Sequence, residues 1–360
     1  MLSALLTLAL SSASGDSVPV RVDARVELLT LVFRLAGNPE FNMPVSSSRY
    51  ADEAAQWFEP AKEHRVFALA RALRREHGIS FNAVPDLAVH LTPPPELALR
   101  VPLVPRPERL DSRWEGADVE GFLVALRDFA EETSFLEFLA SFDRVQRAAE
   151  QRLAARVEEA GVLDWLKEFF GLATGTGYVA VPGLLCGGGN YGASVRLEDG
   201  TLELWPILGV SSWDAEGLPL YDAESVSLVA HEFTHAFANP VIDAHWKALQ
   251  PSFERIFPGV KAVMEAQAYA DPKTVAYESL VRACVVRHAA RKLGADAAER
   301  QCAEEVSRGF AWTPDLARLL EQYEADRKTY ASLQDFGPRL AEFFAAVAKQ
   351  GAPEKAPKSG

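Results

Sequence analysis

One short segment of this sequence combines residue types that can bind a metal and carry out hydrolysis. It reads His-Glu-Phe-Thr-His over residues 231–235. Apolar residues around it recur at helical spacing, which predicts a helix over residues 223–239 that ends at Pro240. Four residues make slightly more than one helical turn, so the two histidines lie on one face. Two imidazoles in that arrangement can bind one Zn²⁺ ion.

Glu232 follows the first histidine and is offset by about 100° around the helix, which lets it reach a water bound to the metal. Zinc lowers the pKa of such a water towards about 7, and the carboxylate can then accept its proton as a general base. The alternative is that these residues form an ordinary solvated helix face. With only seven histidines in 360 residues, the spacing is rare by chance, which favours the metal site.

A hydrolytic zinc site needs a third protein ligand. Ala238 and Val241 stand where the metzincin pattern carries Gly and His, which excludes that class. Five later residues remain as candidates for the third ligand: Asp243, His245, Glu254, Glu265 and Glu278.

Glu278 is the favoured candidate because it lies among apolar residues in a helix predicted over residues 272–293. A buried carboxylate needs a partner, and either a metal or an ion pair with Arg282, one turn later, would provide it. Glu254 stays the other candidate. It lies between Pro251 and Pro258, in a segment that the prolines predict to be short.

The sequence resembles an uncharacterised, mostly bacterial domain-of-unknown-function family of predicted secreted zinc metallopeptidases. The resemblance spans residues 20–345 and rests on the histidine motif followed by Asn-Pro, on the Tyr-Glu-Ser-Leu-Val-Arg-Ala run at residues 277–283, and on the opening block at residues 22–29. It implies a gluzincin-like site. In that site His231, His235 and Glu278 bind Zn²⁺ and Glu232 is the catalytic base. The resemblance does not supply a substrate, and a peptide or protein substrate is expected by analogy with zincins at large.

The arrangement of helical and β-prone segments predicts an α+β, predominantly helical protein with a zincin-like fold and a small antiparallel sheet beside the histidine helix. A mainly helical N-terminal region, residues 16–170, is expected to pack on a catalytic region at residues 171–348. Within the latter, the sheet is predicted over residues 175–210, where Asp199-Gly200 marks a tight hairpin. Residues 349–360 read as a flexible tail.

Composition and charge limit the partners and the compartment. The net charge of −13 disfavours binding to nucleic acid, and no apolar run is long enough for stable membrane insertion. Residues 1–15 read as a signal peptide, which predicts export to the periplasm or the extracellular space. The alternative is a short hydrophobic leader that belongs to the fold. The sequence does not indicate the oligomeric state.

Other functions and residue roles stay open at this level. A non-catalytic, zinc-binding exported protein is the main alternative to an enzyme, and a helical scaffold without metal is a weaker one. Cys284 and Cys302 could form a disulfide or remain free thiols. A residue that stabilises negative charge in the transition state is expected, and His288, Tyr277 and Tyr330 are the candidates by residue type.

Overall fold

The computed structural model describes residues 18–350 except 44–47, 172–175, 211 and 223. The signal peptide expected over residues 1–15, and residues 351–360 of the expected tail, lie outside this range. The described residues are predominantly helical with a small sheet, which confirms the α+β class. None of their helices is both long enough and apolar enough to span a bilayer.

The helices fall into a group before the sheet and a group after it. The first group is α1 Ala24–Leu35, α2 Arg49–Phe58, α3 Arg65–His77, α4 Ala83–Val89, α5 Val119–Glu132, α6 Phe135–Ser141, α7 Asp143–Ala160 and α8 Val162–Phe170. The second group is α9 Glu224–Glu265, α10 Pro272–His288, α11 Ala295–Ser307, α12 Thr313–Ala325 and α13 Gly337–Gln350. A π-helical segment, Ala289–Leu293, continues α10.

The sheet is mixed, which corrects the expectation of an antiparallel one. Its strands are β1 Thr176–Tyr178, β2 Val181–Gly183, β3 Asn190–Arg196 and β4 Leu202–Gly209. β3 pairs antiparallel with β4 across the predicted hairpin. β1 and β2, by contrast, both run parallel to β4 and pair with successive parts of it. The sequence pattern marked the hairpin but carried no signal for the parallel pairings, which join segments distant along the chain. A separate ribbon pairs β5 Ser212–Trp213 with β6 Pro219–Leu220.

Helix α1 joins the N-terminal helices to the sheet through buried charged groups. The Asp23 carboxylate caps its first turn and pairs with Arg25 at 2.7 Å. The Arg25 guanidinium in turn lies over the Trp205 ring of β4, 4.7 Å from its centre. Glu27 accepts a hydrogen bond from the Leu184 backbone N–H at 2.8 Å. These contacts account for the charged residues in the opening block of the sequence, because each one has a partner.

Helix α9 is much longer than the sequence indicated. The predicted end at Pro240 is wrong, since α9 continues through Pro240, Pro251 and Pro258 to Glu265. Pro240 has no N–H to offer the Ala236 carbonyl four residues earlier. The Arg109 guanidinium donates to that carbonyl instead, at 3.0 Å, so the helix continues past the proline.

The long helix also bends back on itself. A straight helix of 42 residues would be about 63 Å long. Yet residues near its two ends meet Arg308, which follows α11. His231 lines the same cavity as Arg308, and the Gln267 side chain donates to the Arg308 carbonyl at 2.8 Å. The three prolines are the positions where the hydrogen bonding of α9 is interrupted, and the bend brings its far end towards the histidine motif.

Candidate metal centre

The two histidines lie on the first turns of α9 with their ring nitrogens facing each other. The Nε2 atoms of His231 and His235 are 3.1 Å apart. The Nδ1 atom of His235 lies 3.3 Å from the Asn239 side-chain oxygen, one turn later. With Nδ1 donating to that oxygen, the Nε2 lone pair of His235 is left for a ligand.

Glu278 on α10 completes a group of three. Its Oε2 atom is 3.6 Å from His231 Nε2, and its Oε1 atom is 3.4 Å from His235 Nε2. The ligand atoms of the three residues all lie within 4.8 Å of one another. A tetrahedral zinc site with bonds of about 2.0–2.2 Å places its ligand atoms roughly 3.3–3.6 Å apart. The two distances between Glu278 and the histidines fall in this range, and the distance between the two imidazole nitrogens is slightly shorter.

One oxygen of Glu278 lacks a hydrogen bond although the residue is buried. The residue is 6% exposed, and its Oε2 atom accepts no hydrogen bond from the described residues. Arg282 Nη2 lies 3.0 Å from this oxygen, but without hydrogen-bonding geometry, so the contact is an ion pair only. The ion pair offsets only part of the free-energy cost of burying an acceptor without a hydrogen bond. A metal ion bound to Oε2 would remove that cost, and the residues present therefore fit a zinc ion.

Glu278 forms an ion pair with Arg282 and at the same time lies close to both histidines. Arg282 also pairs with Glu305 on α11 and donates through Nη2 to the Tyr269 hydroxyl at 2.9 Å. Its side chain is 4% exposed. Because one guanidinium faces two carboxylates, Glu278 keeps unmatched negative charge that can bind a cation.

Glu232 lies beside this group and is buried, with 7% of its surface exposed. Burial, and then the nearby Glu278 carboxylate, raise the pKa of Glu232 to about 8, against an opposing effect of Arg282. The same setting holds the pKa of His231 well below its usual value, through burial first and then the nearby His235. His231 is thus neutral at pH 7 and keeps a lone pair for a metal.

Strand β3 passes directly against the histidine motif at Gly192. A Cβ atom at this position would lie 2.7 Å from the Glu232 carbonyl oxygen and 3.3 Å from the His235 Cβ. No larger residue fits without moving α9, so glycine here sets how closely the sheet approaches the site.

The other third-ligand candidates have partners elsewhere. Glu254 is exposed and accepts a hydrogen bond from Gln250 at 2.7 Å. Its predicted short segment is wrong, since it lies inside α9. Asp243 pairs with Lys273 at 2.7 Å, Glu265 with Lys261 at 3.6 Å, and His245 contacts the Gln334 carbonyl at 3.0 Å.

The three candidates for stabilising a transition state have other contacts. His288 is buried, with its Nε2 2.6 Å from the Ala160 carbonyl. The Tyr277 hydroxyl bonds to Asp243, and the Tyr330 ring packs on Phe336. Cys186, Cys284 and Cys302 are all free thiols.

Tyr269 is a site neighbour that the sequence did not single out. Its hydroxyl accepts a hydrogen bond from Arg282 Nη2, the same atom that lies 3.0 Å from Glu278 Oε2. Burial first, and then the charge of Glu278, raise the pKa of Tyr269, and Glu232 adds to the effect. The hydroxyl therefore keeps its proton. Because Arg282 is the donor in their hydrogen bond, that proton is left for another acceptor.

Asn239 and Tyr269, which the sequence analysis did not identify, differ in whether the sequence could have revealed them. Asn239 stands four residues after His235, and helical spacing alone could have identified it as the partner of that imidazole. Tyr269 lies in the turn after α9 and reaches the site only because α9 bends back, so no local spacing pointed to it.

The chain belongs to a family defined by a domain of unknown function, DUF4932, whose model matches residues 55–343. Searches of curated proteins and of solved structures return no match to this chain. The family match covers the histidine motif, Tyr269 and Glu278, so the whole candidate centre lies inside the family's domain.

Proposed function

We propose that this protein is a zinc-dependent metallohydrolase, a peptidase with a zincin-like catalytic region of the gluzincin type. The observation that carries the proposal is the meeting of three ligand atoms from His231, His235 and Glu278 within 4.8 Å, with Glu232 buried beside them. A buried carboxylate oxygen without a hydrogen bond has capacity left for a ligand, which favours a metal site over a purely structural cluster.

Each residue then has a separate task in peptide hydrolysis. His231, His235 and Glu278 would hold a zinc ion, whose positive charge would polarise the scissile carbonyl and activate a water molecule. The charge of a bound zinc ion would favour the ionised form of Glu232, which would then accept the proton of the attacking water and deliver it to the leaving amine. The Tyr269 hydroxyl donates to the carbonyl oxygen as negative charge develops on it. Asn239 holds His235 in the tautomer that leaves Nε2 free.

The test is cleavage of a peptide library by zinc-loaded protein, with new termini detected by mass spectrometry. Glu232→Gln keeps the shape of the side chain but cannot accept a proton, and its turnover should fall by about 10²–10⁴-fold while its zinc content is unchanged. Glu254→Gln is the matched control, because it makes the same change at an exposed position of the same helix. Absence of cleavage by the zinc-loaded wild type, or full activity in Glu232→Gln, would contradict the proposal.

We also propose that the enzyme acts after export, on the basis of the apolar run at residues 2–10 followed by small residues. Mass spectrometry of the mature protein from its native cells tests this. An N-terminus near residue 14 or 16 is expected, and a mature chain that still begins at Met1 would contradict it.

A further inference from the structure

A cavity of about 420 Å³ opens beside His231 and is not used by the mechanism above. It lies between the first turns of α9 and one face of α11, with the end of α10 and the π-helical segment at its base. Its volume falls within the range of small-molecule sites, about 300–1,000 Å³. We call it the His231 groove. Its apolar wall consists of Val226, Leu228, Val285, Ala289, Leu293 and Ala297.

The charged residues of the His231 groove mostly neutralise one another. On α11, Glu305 pairs with the buried Arg282. Glu304 pairs with Arg308, and across the groove Glu159 pairs with Arg156. Each of these carboxylates therefore already has a cation of the protein beside it.

Arg300 is the exception among the charged residues that line the groove. It stands one turn before Glu304 on the same face of α11 and is exposed. It forms no hydrogen bond or ion pair with any residue in the part of the chain that the structure describes. Arg300 is thus the charged lining residue that has no partner among the described residues, in a protein whose net charge is −13.

We propose that the His231 groove is the specificity pocket of the peptidase site. It takes an apolar side chain next to the scissile bond, and Arg300 pairs with a carboxylate farther along the same peptide. This inference rests on the proposed function, because His231 is one of the three zinc ligands. The carboxylate is either an acidic side chain or the C-terminus of the peptide, and both present the same planar group to a guanidinium.

The helix geometry gives an approximate distance between this carboxylate and the scissile bond. Arg308, directly after α11, lies two turns from Arg300, about 12 Å along the helix axis, and it lines the groove together with His231. An extended peptide advances about 3.3 Å per residue. The carboxylate therefore belongs roughly two to four residues from the scissile bond.

Binding of fluorescent peptides to zinc-loaded Glu232→Gln protein tests the pocket without requiring turnover. The peptides carry leucine next to the bond expected to be cleaved, and three residues farther either glutamate, glutamine, a free C-terminus or an amidated C-terminus. We expect the acidic member of one pair to bind about fivefold more tightly than its neutral partner. The pair that shows this preference identifies the source of the carboxylate.

Three variants, each combined with Glu232→Gln, test whether the preference arises in the groove. Arg300→Glu should remove or reverse it, whereas Arg71→Glu, the same change on the exposed face of α3, should leave it intact. Ala297→Phe narrows the apolar wall and should weaken binding of the leucine peptides more than that of matched alanine peptides. Equal affinity for acidic and neutral peptides in the parent protein, or a preference that survives Arg300→Glu, would overturn the proposal.

The two proposals fail in different ways. If the wild type cleaves peptides but shows no preference for acidic ones, the protein is a peptidase and the assignment of the His231 groove is wrong. If the preference for acidic peptides depends on Arg300 but the wild type cleaves no peptide, the groove binds peptides and the peptidase proposal is wrong.

Discussion

Glu27 and Glu278 are both buried on interior helices, yet their oxygen atoms have different partners. Glu27 accepts a hydrogen bond from the Leu184 N–H at 2.8 Å and another from the Tyr50 hydroxyl at 3.0 Å. Glu278 faces two histidines and an arginine, and its Oε2 atom has no hydrogen bond within the described chain. The first carboxylate is satisfied by the protein, and the second has capacity left for a ligand.

We therefore interpret Glu27 and its partners as a structural cluster and Glu278 and its neighbours as a functional one. The partners of Glu27 hold α1 against the segment before β3, and burial raises the pKa of this carboxyl to about 7. The neighbours of Glu278 are instead groups that bind metals or donate protons. Changes around Glu278 should therefore alter metal binding and catalysis, and changes around Glu27 should alter stability.

Removing the Tyr269 hydroxyl should give the largest effect among these comparisons. Tyr269→Phe takes away one donor to the developing negative charge, so kcat for peptide cleavage should fall by about 10²–10³-fold. KM and zinc content should change little. Steady-state kinetics on a fluorogenic peptide would measure this.

Tyr330→Phe is the matched control, because it removes the same atom from a ring that packs on Phe336 and should leave kcat unchanged. An unchanged kcat in Tyr269→Phe would remove this tyrosine from the site.

Loss of the hydrogen-bond partner of His235 should have an effect of intermediate size, on zinc affinity. Asn239→Ala removes the oxygen that lies 3.3 Å from His235 Nδ1, and zinc affinity should fall by about 10–100-fold. Competition with a chromophoric chelator measures the affinity. Asn239→Asp keeps an acceptor there and should restore most of the binding, whereas equal affinities in all three proteins would show that Asn239 does not orient the imidazole.

Glu27→Gln should affect stability alone, and the effect should depend on pH. The folded protein retains the Glu27 proton up to about pH 7, whereas an unfolded chain loses it near the ordinary glutamate value. Between these values a rise in pH favours unfolding, because only the unfolded state releases the proton. Glutamine cannot ionise, so Glu27→Gln does not lose folding stability in this way as the pH rises.

The melting temperature of the wild type should therefore fall relative to that of Glu27→Gln between pH 5 and pH 8, by a few degrees. Thermal scans of both proteins at the two pH values give the difference, in which the titrations of other groups cancel. A constant difference would show that the Glu27 carboxyl titrates alike in the folded and unfolded states. Loss of zinc from Glu27→Gln would contradict the separation of the two clusters.

Local sequence predicted the parts of the site that depend on one helix or one turn. The spacing of His231 and His235, the helix start at residue 272 and the Asp199-Gly200 hairpin are all short-range features, and the structure contains each of them. The apolar surroundings of Glu278 pointed to burial, and it is buried.

Long-range features escaped prediction for a physical reason. The continuation of α9 past Pro240 depends on Arg109, more than a hundred residues earlier, which donates to the carbonyl that the proline leaves unpaired. The parallel pairing of β1 and β2 with β4 and the approach of Tyr269 to Arg282 likewise arise from tertiary packing. Such contacts produce no periodic pattern in the sequence from which they could be predicted.

Zinc content is the measurement that tests the central claim most directly. Purified wild type should bind one zinc ion per chain, Glu254→Ala should bind the same amount, and Glu278→Ala should lose tight binding. Both substitutions remove a glutamate from a helix, but Glu254 is exposed and only Glu278 faces the two histidines. A wild type that binds no zinc after reconstitution, or a Glu278→Ala variant that binds it as tightly as the wild type, would contradict a centre built from His231, His235 and Glu278.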